Sequence, residues 1–389
     1  MSVTTQSGSP APFDARALTE AVDRVEVGRF ARDLARRHPK PANAQLIVGI
    51  VVAVVAVLLL GGTLTTFATV LVGLASAGIG LGGLAPAAVA FPVVSVLLVA
   101  VIVGIVVSGR RRTRERRYRL DRFARANGMG YVPSLSAPAL PGMIFGLGHS
   151  RRADDLVRGE APRFVEFANY RYTTGAGKNQ TTHRWGYVAI RLDAPLPHIV
   201  LDALGNNSVF GSNLPVGFAK QQRLSLEGDF DRHFALSCPE GYEADALYLF
   251  TPDIMARFLD HAGELDVEIV DDWLFLYTRR QVSTLDPATW AWLFSVVGAL
   301  LDKLAQWGRW RDERLVGAPG AAWTGRAGEA LPFAAPAAPL APPPGVTAGG
   351  RRLRRGLPTR VWVILAVFLG LFAFQALGGA FFFGRALFP

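Results

Sequence analysis

The chain has a single cysteine, Cys238, among its 389 residues. A lone thiol closes no intramolecular disulfide and offers no Cys/His zinc spacing, which favours a reducing compartment. Histidine is sparse and scattered: six residues, none in an H-E-x-x-H arrangement. No G-x-S-x-G nucleophile elbow occurs, so the commonest signatures of metal-assisted and nucleophilic hydrolysis are missing. No cleavable leader is expected, because residues 1–40 are polar and the first apolar run is too long for a signal peptide. Lysine is scarce too, at four of the 41 basic residues. Most conspicuously, no charged residue occurs from Ala44 to Gly109.

Where charge does occur, it is unevenly placed. Residues 127–316 hold 18 basic and 23 acidic side chains, a net of −5, while the remainder holds 23 and 8, a net of +15. A nucleic-acid binder would carry its basic excess on the folded domain, so no nucleic-acid partner is expected. The excess flanks uncharged stretches instead, which is the pattern of the positive-inside rule.

That pattern yields a fold class: a membrane protein with three transmembrane helices and an α+β cytoplasmic domain, mainly antiparallel sheet plus helices. Residues 1–43 form a cytoplasmic N-terminal segment. Its residues 1–13 read as disordered, and Asp14–Arg37 as an amphipathic helix on Leu18, Val22, Val25, Phe30 and Leu34. Residues 44–109 hold two spans, Gln45–Phe67 and Ala90–Val107, with 68–90 an undecided third. Residues 110–316 are the cytoplasmic domain. A Pro/Ala-rich linker with a basic run, 317–360, has seven prolines among residues 317–350 and is expected to make no core contacts. Residues 361–384 form the last span. The implied location is the bacterial plasma membrane, multi-pass.

Within the domain, a helix over Thr113–Asn127 is expected to end at Gly128 in a left-handed cap. Arg163–Tyr172 and Arg184–Leu192 read as strands joined by a Gly/Asn/Thr-rich hairpin loop, followed by Pro197–Ala203, Leu224–Leu226 and Phe230–Ser237. Ala246–Phe250 is a further strand, and Thr251-Pro252-Asp253 starts a helix. Val267–Val270 and Trp273–Tyr277 form a hairpin about Asp271-Asp272. Asp286-Pro287 caps a closing helix whose Trp290, Leu293, Val297, Leu300, Leu304 and Trp307 build one apolar face. A pleckstrin-homology-like barrel is the alternative arrangement.

Three motif matches dissolve on inspection. Gly78-x-Gly80-x-x-Gly83 copies a dinucleotide fingerprint but has no strand or distal carboxylate around it. Gly175-Ala176-Gly177-Lys178 lacks the spacing and the following helix of a phosphate loop. His233 with Glu227, Asp229 and Asp231 reads as a solvated strand face rather than a metal set. No cofactor, metal or catalytic residue is implied, and Cys238 has no charged activator nearby.

The one charged feature with a functional reading is the basic run Arg110, Arg111, Arg112, Arg114, Arg116, Arg117 and Arg119, opposed only by Glu115. Such a run attracts anionic lipid headgroups of a bilayer. The expected role is a membrane-tethered binding or scaffolding module, with a protein partner left open. A membrane-associated enzyme is the alternative.

The stretch Leu226–Tyr277 resembles an uncharacterised family of bacterial membrane proteins. The resemblance rests on Leu226-Glu227-x-x-Phe230-x-x-x-Phe234, on Ala246-Leu247-Tyr248-Leu249-x-Thr251-Pro252, and on Trp273-Leu274-Phe275-Leu276-Tyr277. Phe123-Ala124, Asn127-Gly128 and Tyr131 are similar to the same family's domain start. The resemblance spans roughly residues 115–285. It implies the same architecture and brings no catalytic residues.

Overall fold

The computed structural model describes residues 12–39, 61–62, 68–69, 72–73, 85–204, 214, 223–225, 230–239, 243, 246–247, 265–315 and 331–333; at 85–99, 102, 194, 303 and 305–315 it describes the backbone alone. The chain divides into two compact units, one of Met1–Ala31 and Arg114–Gly350, the other of Arg32–Thr113 and Arg351–Pro389.

Seven strands make one antiparallel sheet in the first unit: β1 (Gly130–Ser136), β2 (His149–Gly159), β3 (Val165–Thr174), β4 (Thr181–Ala203), β5 (Arg223–Leu224), β6 (Phe234–Ser237) and β7 (Asp266–Thr278). They run in the order β1-β2-β3-β4-β6-β5, with β7 on the other side of β4. β4 organises the sheet. Residues 186–190 pair with β3 on one side and β7 on the other, while residues 200–203 pair with β6. The helices are α1 (Arg16–Thr19), α2 (Arg24–Arg37), α3 (Ala85–Ala126) and α4 (Pro287–Leu315).

Both faces of the central strands are covered. Tyr170, Tyr187, Phe275 and Tyr277 fill one face around Phe145, whose ring lies 4.9 Å from that of Tyr187. On the other, Phe167 meets Trp290 and Phe294 of α4 at 5.4 and 5.3 Å. Burial on both faces explains why the end of β7, Trp273–Tyr277, reads as a continuous apolar run rather than an alternating one.

Several local expectations hold. α3 ends in a Schellman turn: the Met129 amide donates to Ala124 at 2.7 Å and the Gly128 amide to Arg125, with Gly128 at φ +70°. Asp286 caps α4 by accepting from the amides of Ala288 and Thr289. Residues 175–180 form the hairpin loop between β3 and β4. α4 is buried at Trp290, Leu293 and Val297, but also at Trp292 and Phe294, so it is enclosed rather than one-sided.

Other expectations are corrected. The three-span membrane fold class is not borne out: among the described residues no helix is long and apolar enough to cross a membrane. Residues 90–107 are the front of α3, a 42-residue helix that carries straight on into nine arginines and two acidic residues. Residues 361–384, and 45–67 apart from Gly61 and Gly62, lie outside the described residues. The multi-pass plasma-membrane location with a cytoplasmic domain rested on those spans and is withdrawn with them.

The amphipathic stretch Asp14–Arg37 is two helices, broken where Asp23 caps α2 through the Val25 amide at 2.9 Å. Val25 is exposed, and Val27 is buried in its stead. Phe30 packs edge-on against Tyr118 at 5.6 Å. The hairpin about Asp271-Asp272 is instead one strand, β7, with Asp271 at φ +51° where its register with β4 shifts. Facing that shift, Pro195 and Pro197 interrupt the ladder of β4 without ending the strand, since proline keeps an extended backbone but donates no hydrogen bond. β1 and β2 were not expected at all. Most of the Ala246–Phe250 strand and all of the Thr251 helix lie outside the described residues, as does Gly78–Gly83.

The linker makes core contacts after all. Phe333 is buried against Phe294, ring centroids 3.7 Å apart, and Pro332 is buried beside it. At the other end of the chain Phe13 meets Phe123 and Phe294 edge-on.

Candidate functional site

The arginine run is divided by the fold. Arg110, Arg111, Arg112 and Arg114 are exposed, and no ion pair among the described residues engages them. Their helical spacing spreads them round the axis, since successive residues turn by about 100°. Arg116, Arg117 and Arg119 are drawn into the first unit. Arg116 donates from Nε to Asp155 at 3.0 Å and to the Ser283 carbonyl at 2.7 Å. Arg119 pairs with Glu115 and donates to the Leu18 carbonyl at 2.8 Å, near the end of α1. Arg117 has its Nε buried without a hydrogen-bond partner among the described residues.

Asp155 stands in a bulge of β2 at φ +54°, where the register with β3 shifts. It also accepts the Tyr131 hydroxyl at 2.6 Å. Burial first, then the Asp155 charge, pushes that phenol far above its ordinary range, against the opposing pull of Arg117 and Arg116. The same cluster reaches Asn169, which donates to the Ser283 carbonyl and accepts from the Val282 amide.

A second polar constellation lies under the opposite face. Glu166 and Glu268 are both buried, and each accepts a tyrosine hydroxyl: Tyr187 to Glu166 at 2.5 Å, Tyr277 to Glu268 at 2.6 Å. The other Glu166 oxygen is held by Arg158 at 2.5 Å. Glu268 also takes the Met143 amide at 2.8 Å and faces His198 Nε2 at 3.1 Å. The bulge at Asp271 makes this possible. Positions 268 and 277 differ in parity, so an unbroken strand would send them to opposite faces. Burial and the neighbouring glutamates raise the Tyr187 and Tyr277 phenols well above the usual value, so both act as protonated donors at neutral pH.

Perturbed groups gathered in one place are a common mark of an active site. In this cluster every carboxylate oxygen is already engaged by the protein, and the arrangement ties β3, β4, β7 and the 142–143 turn together. Glu166, Tyr187 and Glu268 were not singled out from sequence, and Tyr277 entered only as the end of a strand and of a resemblance motif. The available signal was a glutamate at an inward position of an apolar run, as in Val165-Glu166-Phe167 and Val267-Glu268-Ile269.

Other sequence candidates do not converge. Cys238 is buried, and burial followed by the charge of Glu243 raises its thiol, which leaves it unreactive. His233 is exposed, and among the described residues no three His, Cys, Asp or Glu side chains could share a metal ion. Glu227 and Asp229 lie outside the described residues.

No family model matches the chain, and no curated protein matches it. Among solved structures it is similar to the mycobacterial trehalose monomycolate transport factor A, at 11% identity, over 54% of this chain and 99% of that one, with a TM-score of 0.32. No residue role transfers at that distance.

Proposed function

We propose that the chain is a binding module that meets anionic lipid headgroups through Arg110, Arg111, Arg112 and Arg114. The observation behind this reading is the division of the basic run. Three of its seven arginines are used to build the fold, and four stand exposed on one helix with no acidic partner among the described residues. Arg110 and Arg114 stand one turn apart, where like charges repel one another and cost stability, so an external anion is the natural complement. Each arginine near an anionic surface contributes on the order of 1 kcal/mol, and salt weakens the attraction.

The test uses the full-length chain with vesicles of neutral lipid and of neutral lipid mixed with anionic phosphatidylserine, at low and high salt. Stronger binding to the anionic vesicles is expected, weakened by salt. The triple variant Arg110→Glu, Arg111→Glu, Arg112→Glu should lose on the order of 100-fold in affinity while unfolding at the same denaturant concentration. Equal binding to both vesicle types, or a variant that binds like the parent, would remove this reading.

A further inference from the structure

We infer that α2 carries the second half of the headgroup-binding surface: Arg32 and Arg36 stand beside the exposed arginines of α3, and the two rows together meet the many anions of a bilayer surface rather than one soluble anion. Arg110, Arg111, Arg112 and Arg114 keep the headgroup role proposed for them, on which this rests. The sequence makes α2 two-sided. Val27 and Leu34 are buried, while Arg29, Arg32 and Arg36 are exposed. Positions 29, 32 and 36 recur at steps of three and four, so they share one stripe. At about 100° per residue that stripe lies opposite Val27 and Leu34. Among the described residues, the one ion pair in the second half of α2 joins Arg37 to Asp33, which leaves Arg29, Arg32 and Arg36 with no acidic partner there.

Side-chain contacts fix the direction in which α2 runs along α3. Glu20, just ahead of α2, pairs with Arg122 at 3.7 Å. Glu26 accepts the Tyr118 hydroxyl at 2.5 Å, and Phe30, one turn on, lies edge-on to the Tyr118 ring at 5.6 Å. Numbers rise along one helix as they fall along the other, so the two are antiparallel. Both advance about 1.5 Å per residue. Carried on from these pairs, the register brings Arg32 and Arg36 level with the stretch from about 108 to 116, which holds the exposed arginines of α3. Arg32–Arg37 and the α3 residues up to Thr113 also fall in the same compact unit.

The guanidinium groups of the two rows do not converge on a point. α3 turns its arginines around its axis, and the α2 row lies on a second axis, about 8–10 Å away for packed helices. A single small anion reaches one or two of them. A bilayer offers headgroups to all of them, and each further arginine near an anionic surface adds to the attraction. Binding through two rows should therefore rise steeply with the fraction of anionic lipid, because several headgroups are met at once.

The experiment titrates the full-length chain with vesicles of neutral lipid containing increasing fractions of phosphatidylserine. Arg32→Gln with Arg36→Gln should weaken binding on the order of 10-fold and make it rise less steeply with the anionic fraction, while the urea midpoint stays that of the parent. Arg32→Lys with Arg36→Lys keeps the charge and should bind like the parent. Inorganic pyrophosphate should release the vesicle-bound chain no better than sodium chloride of equal ionic strength. A Gln pair that binds like the parent, while Arg110→Glu, Arg111→Glu and Arg112→Glu together still weaken binding, would remove α2 from the surface and leave the headgroup role of α3 standing. A parent chain with no preference for anionic vesicles would remove both. A Lys pair as weak as the Gln pair would show that the substitutions act through shape rather than charge, and pyrophosphate that outcompetes matched salt would show a site for one soluble anion. Either result overturns the inference.

Discussion

Tyr187 and Tyr277 stand directly opposite each other on β4 and β7, and each donates its hydroxyl to a different buried glutamate. The pair therefore links three strands through two carboxylates, Glu166 on β3 and Glu268 on β7. A hydrogen bond to a charged group is worth about 1.5–3 kcal/mol, and its loss leaves a buried carboxylate short of a donor.

Tyr187→Phe and Tyr277→Phe should each lower stability by roughly that amount, because the ring packing is kept and only the donor is lost. Urea denaturation gives the value. The double variant tests whether the opposed rings act together, since neighbours in contact are seldom additive. A change below about 0.5 kcal/mol in either single variant would mean that the hydroxyls are not holding the glutamates.

How much of this was legible in the sequence differs by element. The β3–β4 hairpin, the Gly128 cap and the Asp286 cap were, because each is a local rule written in adjacent residues. β1 and β2 were not. β2 is rich in charge, with Arg151, Arg152, Asp154, Asp155 and Arg158, and its bulges at Ser150 and Asp155 break the two-residue alternation that marks a strand. Arg116–Asp155 and Arg158–Glu166 pairs bury that charge, and such pairs are tertiary facts. The Asp-Asp step at 271 has the composition of a turn, and only the β4 ladder on the far side shows that it is a bulge. Phe333 was overlooked because a Pro/Ala-rich background marks a linker whatever single aromatic it contains. The long apolar run before Arg110 was legible as helix, but its hydropathy was overread as a crossing.

Alkaline pH should unfold the protein cooperatively. Six of its eight tyrosines are raised above the ordinary value: Tyr131, Tyr170, Tyr172, Tyr187 and Tyr277 with burial the first cause, and Tyr118 first through its hydrogen bond to Glu26. Tyr170 is pushed up to about 12. A group whose folded value exceeds its unfolded value of about 10 contributes stability that is intact below pH ~10 and is lost as pH climbs through the folded value. Tyrosinate absorbance and circular dichroism should therefore change together, above pH ~10. A smooth titration of all tyrosines near their ordinary value, with the circular dichroism unchanged, would contradict their burial.

Asn127 anchors the N-terminal segment. Its side-chain oxygen accepts the Asp14 amide at 3.0 Å, and its side-chain nitrogen donates to the carbonyls of Asp14 and Phe123, both at 2.8 Å. The residue is fully buried, and the bonds place Phe13 against Phe123 and Phe294. Asn127→Ala should cost about 1–3 kcal/mol and speed amide exchange over residues 12–19 first, because that segment loses its tether before the sheet loses anything. Asn127→Asp separates the amide's two functions. A carboxylate can still accept the Asp14 amide, but it cannot donate and would face two carbonyl oxygens. That environment favours the protonated acid, so the introduced carboxyl should have a folded value above its unfolded one. By linkage its stability is fully present below the unfolded value and is lost as pH rises through the folded one. Asn127→Asp should thus be at least as damaging as Asn127→Ala at neutral pH and recover part of the loss in mild acid, where Asn127→Ala recovers none. Identical pH profiles for the two variants would show that the donors of Asn127 do not hold the segment.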